Sequence, residues 1–188
     1  MLIYDIEIQN LIAKKGEEVL ADFKYCKGFD DFFGMGFACA ATFDTARNEY
    51  RIFDEFMLED LKGALHRTDV IVGFNCIRFD NKVLAPYEIS IPENKCYDLL
   101  IEIAKAAGTP NDYKGLSLGA ICKANFGTEK TGDGKNAPIL YQRGRFGELH
   151  DYCLADVRLT KQLLDKILEC GHIINPRTNK WIRVARPR

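Results

Sequence analysis

This chain lacks an excess of either charge: 26 Lys and Arg stand against 27 Asp and Glu in 188 residues. The strongly basic balance that often marks nucleic-acid binding is therefore missing. Such binding is not excluded, because carboxylates gathered around metal ions carry local negative charge that the metals neutralise. Paired cysteines are lacking too. Seven are scattered (Cys26, Cys39, Cys76, Cys96, Cys122, Cys153 and Cys170), an odd number with no C-x-x-C spacing. This weighs against disulfides or a zinc site and for reduced, mostly buried thiols of a cytoplasmic protein. His66, His150 and His172 show no metal-ligand spacing. No basic stretch followed by a long apolar one opens the chain, so no signal peptide is expected. No apolar run reaches the ~20 residues that span a bilayer, so no membrane is expected as a partner. Internal repeats and linkers are absent, which predicts a single domain over 1–188. What is plentiful is apolar residues, 47% of the chain, ample for a core.

Period-two alternation begins at once. Leu2, Tyr4, Ile6 and Ile8 share one face of a strand; Ile3, Asp5 and Glu7 share the other. Residues 11–33, with Lys14-Lys15-Gly16 and the run 28–33, read as an irregular insertion. Met35–Phe43 and Tyr50–Phe56 predict a β-hairpin. Leu58, Leu61 and Leu65 give Glu59–Arg67 helical spacing. Asp69–Phe74 reads as a short buried strand ending at Gly73, and Arg78–Ala85 as a helix stopping before Pro86. Asp98 opens a helix over Leu99–Ala107; another covers Leu116–Phe126, and 127–138 reads as a polar, Gly-rich loop. The longest helical pattern runs from about Arg145 to Cys170, with Leu149, Cys153, Val157, Leu164 and Leu168 on one stripe. Residues 171–188 form a basic C-terminal hairpin or tail. The order is mixed α/β, a sheet covered by helices.

Three acidic segments carry chemistry. On a strand, Asp5 and Glu7 lie ~6.6–7 Å apart on one face, where both can reach a common cation. Unpaired there, they would repel each other and resist desolvation. A hard divalent ion such as Mg²⁺ or Mn²⁺ resolves this; the bland alternative is an edge strand whose acids face water. Asp80 follows a buried strand, the usual place for ligand groups in α/β sheets, or else caps the next helix. Asp156 sits inside the long helix with Tyr152 one turn earlier, on the same face. Its bland alternative is an exposed acid paired with Arg158 or Lys161.

Together the three segments resemble a known family. D-x-E on a first strand, N-x3-F-D after a later strand and Y-x3-D on a late helix look like the three motifs of the DEDDy 3′–5′ exonucleases. These belong to the proofreading-exonuclease superfamily of ribonuclease H-like fold, a mixed sheet flanked by helices. The resemblance covers residue 1 to about 170 and is closest to stand-alone relatives of the family B DNA polymerase exonuclease domain. Tyr152–Thr160 is typical of that group. Two departures stand out. Ile8 occupies a place usually held by Thr, and the insertion at 11–33 is long. Asp151 stands where the histidine subclass would have His, so Tyr152 is the partner of Asp156.

The resemblance implies two divalent ions, Mg²⁺ or Mn²⁺, bridging the carboxylates and the scissile phosphate. Asp5 would touch both, Glu7 and Asp156 the ion that activates water, and Asp80 the second ion. Tyr152 would orient the attacking water, since a phenol of pKa ~10 is a poor base at neutral pH. Asn75 and Phe79 would hold the terminal nucleotide. The implied substrate is a single-stranded DNA end, releasing nucleoside 5′-monophosphates. An RNA 3′–5′ exonuclease, a non-catalytic nucleic-acid-binding module and an endonuclease of the same broad fold are the alternatives.

Other features read more plainly. The stretch 127–135 is not a phosphate loop, because Asp133 follows Gly132 where Lys would be needed. Lys123, Lys130 and Lys135 either touch a nucleic-acid backbone or are solvated. Phe29, Phe32 and Phe33 are expected to pack onto the core rather than stack on bases. Asp98 is read as a helix cap. Arg177, Lys180, Arg183, Arg186 and Arg188 either grip phosphates or face water.

Overall fold

The structure is a computed structural model and describes residues 1–13, 16, 19–128 and 136–187. Lys14, Lys15, Lys130, Lys135, Arg188 and most of the expected 127–138 loop lie outside the described residues.

The opening alternation folds as predicted into β1 (Leu2–Ile8). The insertion contributes the two-residue strands β2 (Leu11–Ile12) and β3 (Tyr25–Cys26), paired in parallel, and then a single turn, α1 (Phe32–Met35). It is thus less irregular than its composition suggests. The hairpin is β4 (Phe37–Asp44) and β5 (Glu49–Asp54), followed by α2 (Leu58–His66) and β6 (Ile71–Gly73). The next helix, α3 (Asp80–Leu84), starts two residues late and runs into a 3₁₀ turn, Ala85–Tyr87, that carries Pro86 at its start. Proline fits there because the first turn needs no N–H from it.

An unforeseen strand, β7 (Cys96–Asp98), precedes α4 (Leu99–Ala106). Ser117 caps α5 (Leu118–Phe126), its hydroxyl accepting from Ala120 N–H at 3.2 Å. A further helix, α6 (Ala137–Gln142), begins inside what reads as loop. The long pattern is α7 (Phe146–Cys170), and the C-terminal hairpin is β8 (His172–Asn175) and β9 (Lys180–Arg183).

The main sheet has five strands in the order β5-β4-β1-β6-β7. β1 is central, antiparallel to β4 and parallel to β6. Each face buries one set of alternating residues. Leu2, Tyr4, Ile6 and Ile8 pack with Leu61 and Leu65 of α2 and Val83 and Leu84 of α3. Ile3, Phe43 and Val72 pack with Ile103 of α4, Ile121 of α5 and Leu149, Cys153, Val157 and Leu164 of α7. Each such apolar side chain contributes about 1.5–3 kcal/mol on burial. The stripe read from α7 holds, with Leu168 only half-buried. The terminal hairpin is tied to α5, where the Asn125 side chain donates to Ile174 O at 2.9 Å and accepts from Ile174 N–H at 2.8 Å. Among the described residues no helix is long and apolar enough to cross a membrane.

Candidate active site

The acids of β1 sit where its parallel neighbour has already ended. β6 pairs with β1 only at Leu2 and Ile3, so the flank of β1 beyond them is open. Across the strand, Asp5 faces Ala41 and Glu7 faces Cys39 on β4, small neighbours that leave room above the acids. The edge-strand alternative fails, because β1 is central and Glu7 is only 8% exposed. Cys153 of α7 lies beneath, its Sγ 3.5 Å from Asp5 O and 3.8 Å from Asp5 Oδ2. Ligand atoms of Asp5, Glu7 and Cys153 all lie within 4.8 Å of one another. Burial above all, then contact with Cys39 and the nearby acid charges, push the Cys153 thiol well up. With no ion bound, it serves Asp5 as a hydrogen-bond donor.

Asp80 reaches β1 from the other side. β6 stops at Gly73, where any Cβ would lie 2.6 Å from Cys76 Cβ. The chain folds back there, with Asn75 left-handed at φ 65°, a conformation Asn tolerates. Asp80, 4% exposed, then accepts from Ile6 N–H at 3.2 Å, between the two β1 acids. It heads α3 but is not its cap residue, which is Phe79. Burial first, opposed by the Asp80 and Ile6 N–H groups and reinforced by the charges of Asp98 and Asp156, pushes its carboxyl up to about 7. Tyr4, fully buried, donates its hydroxyl to Asn81 and so ties β1 to α3.

Asp98 is the organiser that sequence reasoning only half found. Its carboxylate caps α4 as expected, accepting from Leu100 N–H at 3.0 Å and Ile101 N–H at 3.4 Å. It also accepts from Asn75 N–H at 2.9 Å and Ile77 N–H at 3.1 Å, pinning the loop that leads to Asp80. Burial raises its pKa against the pull of these four N–H groups.

The third segment comes from α7. Asp156 is 6% exposed, and its exposed-pair alternative fails: Lys161 bonds Asp165 at 2.6 Å, and Arg158 stands over the Tyr50 ring at 5.5 Å. Tyr152 is half-buried, whereas Asp151 is exposed.

All seven residues singled out in the sequence, Asp5, Glu7, Asn75, Phe79, Asp80, Tyr152 and Asp156, line one cleft of about 940 Å³. No family model matches the chain, and no curated protein matches it significantly. The cleft must therefore be read from its own geometry. Acids gather on the sheet side, and the remaining walls are largely apolar. One wall is the insertion, through Leu20, Tyr25 and Phe29; another is the loop before α5, through Tyr113 and Leu116.

Phe29 is 57% exposed and faces the cleft, and Phe33 is 79% exposed; only Phe32 packs on the core as expected. The basic C-terminus also differs from expectation. The Arg177 guanidinium donates to Lys114 O at 2.6 Å, Thr109 Oγ1 at 2.9 Å and Asp112 O at 2.8 Å, bracing the Tyr113 wall. Arg186 donates to the carbonyls of Ile167 and Glu169 at the end of α7, at 3.4 and 3.3 Å. Lys123 is exposed on α5.

Proposed function

We propose that this protein is a metal-dependent 3′–5′ exonuclease of ribonuclease H-like fold that hydrolyses phosphodiester bonds at single-stranded DNA ends. The observation that carries this reading is convergence. Three segments some 70 residues or more apart deliver four carboxylates and a tyrosine to one cleft. The mixed five-stranded sheet with β1 at its centre is compatible with that fold.

The donor set suits hard divalent cations, Mg²⁺ or Mn²⁺, because its available ligands are carboxylate oxygens. When bound, such ions polarise the phosphate, activate water and stabilise the leaving oxygen. Asp5, Glu7 and Asp156 would hold the ion nearer α7, with Asp5 shared, and Asp80 the second. Tyr152 orients the attacking water by hydrogen bonding. Asn75 and Phe79, on the loop pinned by Asp98, hold the terminal nucleotide. The apolar walls exclude bulk water and receive bases.

The test is release of nucleotides from a 5′-labelled strand in Mg²⁺. Wild-type protein shortens the strand from its 3′ end, whereas Asp5→Ala and Asp156→Ala leave it intact. Full activity in either variant sinks the assignment. Parallel DNA and RNA strands decide the nucleic acid, and a closed circular strand separates exonuclease from endonuclease.

A further inference from the structure

A second groove, of about 630 Å³, opens beside the acidic cleft. Leu20, Asn136, Ile139 and Tyr152 line both, so the two are continuous. The second groove runs between the insertion, α6 and the first turns of α7. Its chemistry is different. Where the cleft gathers carboxylates, this groove presents Arg143 and Arg145 beside the Phe23 ring. Two acids lie here as well. Glu148 accepts from Arg145 Nε at 2.6 Å, which neutralises that arginine, and Asp151 lies farther along the wall. Arg143 bonds no carboxylate among the described residues, and its guanidinium sits 5.2 Å from the centre of the Phe23 ring.

This pairing of ring and cation is held in place. Gln142, next to Arg143, clasps Lys24, next to Phe23. Its side-chain amide accepts from Lys24 N–H at 2.7 Å and donates to Lys24 O at 3.0 Å. The same amide donates to Gln9 O at 2.9 Å, just past the end of β1. Phe23 and Arg143 are thus locked to the strand that carries Asp5 and Glu7.

Arg143 stands over one side of the Phe23 ring. A ring that lines a groove can stack a base of any sequence on its remaining surface, and the arginine's outward N–H groups can receive a phosphate. We propose that this groove holds the unpaired stretch of a nucleic-acid strand whose 3′ end lies in the acidic cleft, with a base on Phe23 and a phosphate on Arg143. The strand passes Tyr152 as it leaves the cleft. A paired duplex cannot offer an isolated base to this ring, so the groove selects single strands.

The proposal rests on the exonuclease reading, and two substrates separate the two claims. The p-nitrophenyl ester of thymidine 5′-monophosphate is confined to the acidic cleft, whereas an oligothymidine of about ten nucleotides reaches both sites. Arg143→Glu and Phe23→Ala should each raise KM for the oligothymidine about tenfold, with kcat and ester hydrolysis unchanged. Arg143→Lys should retain most of the affinity, and Arg143→Glu should lower the salt slope of binding by about one. Wild-type KM for the oligothymidine in both Arg143→Glu and Phe23→Ala overturns the groove. So does an equal loss on the ester, which would put the effect in the cleft. A wild-type protein that hydrolyses neither substrate overturns the exonuclease reading instead.

Discussion

Removing the Asp98 carboxylate should both destabilise the protein and disorganise the cleft. In Asp98→Ala four backbone N–H groups lose their acceptor, those of Asn75, Ile77, Leu100 and Ile101. Loss of the α4 cap costs about 1 kcal/mol. The two loop N–H groups, if left unsatisfied, cost about 1–3 kcal/mol each. Relief of the buried charge offsets part of this, leaving about 2–5 kcal/mol. For a chain of this size that lowers Tm by about 5 °C or more. Asp98→Asn distinguishes the geometry from the charge. Its amide oxygen can keep the three bonds made by Oδ1, but its NH₂ group would oppose the Ile77 N–H that Oδ2 now accepts. The asparagine variant should therefore lose roughly half as much stability as the alanine variant. Urea unfolding of the three proteins measures this, and nucleotide release reports on the loop. Losses under about 1 kcal/mol in Asp98→Ala would refute the idea that this carboxylate holds the site together.

Three other outcomes are expected. The folded Asp80 carboxyl, near 7, binds its proton more tightly than an unfolded one at ~3.9. Its contribution to stability is full below pH ~3.9 and is lost as pH rises through about 7. Metal-free protein should accordingly lose more stability between pH ~5 and ~8 than Asp80→Asn does, and an equal loss in both would remove burial of Asp80 as the cause. Arg177→Ala should cost about 1–3 kcal/mol and speed hydrogen exchange across 109–117, and Arg177→Lys should not restore the loop, because a single ammonium cannot reproduce the three-way fork. Tyr152→Phe should retain partial Mg²⁺-dependent activity where Asp5→Ala retains none; equal loss would mean that the phenol does more than orient water.

Long, regular elements were legible in the sequence because their periodicity is local. β1 alternates strictly, and α7 keeps its apolar stripe over 25 residues. β7 was not legible. It has three residues and exists through its pairing with β6, from Ile71 with Cys96 to Gly73 with Asp98. α6 was masked by its shortness and by Pro138, which sits in its first turn, where proline is tolerated. The acids were recognisable by type and spacing, but their convergence depends on β6 ending early and on the fold-back at Gly73. The cap on α4 was legible at Asp98, but its hold on the Asn75–Ile77 loop and the brace made by Arg177 could not be read. Their partners are backbone N–H and carbonyl groups, which every residue carries and no residue pattern marks.

The central claim, that this cleft is a two-metal nuclease site, is tested most directly by diffraction from crystals soaked in Mn²⁺ with a short oligothymidine. Two manganese peaks about 4 Å apart are expected among the carboxylates of Asp5, Glu7, Asp80 and Asp156, with a phosphate between them. A cleft that binds the strand elsewhere, or that shows no manganese at these acids, would contradict it.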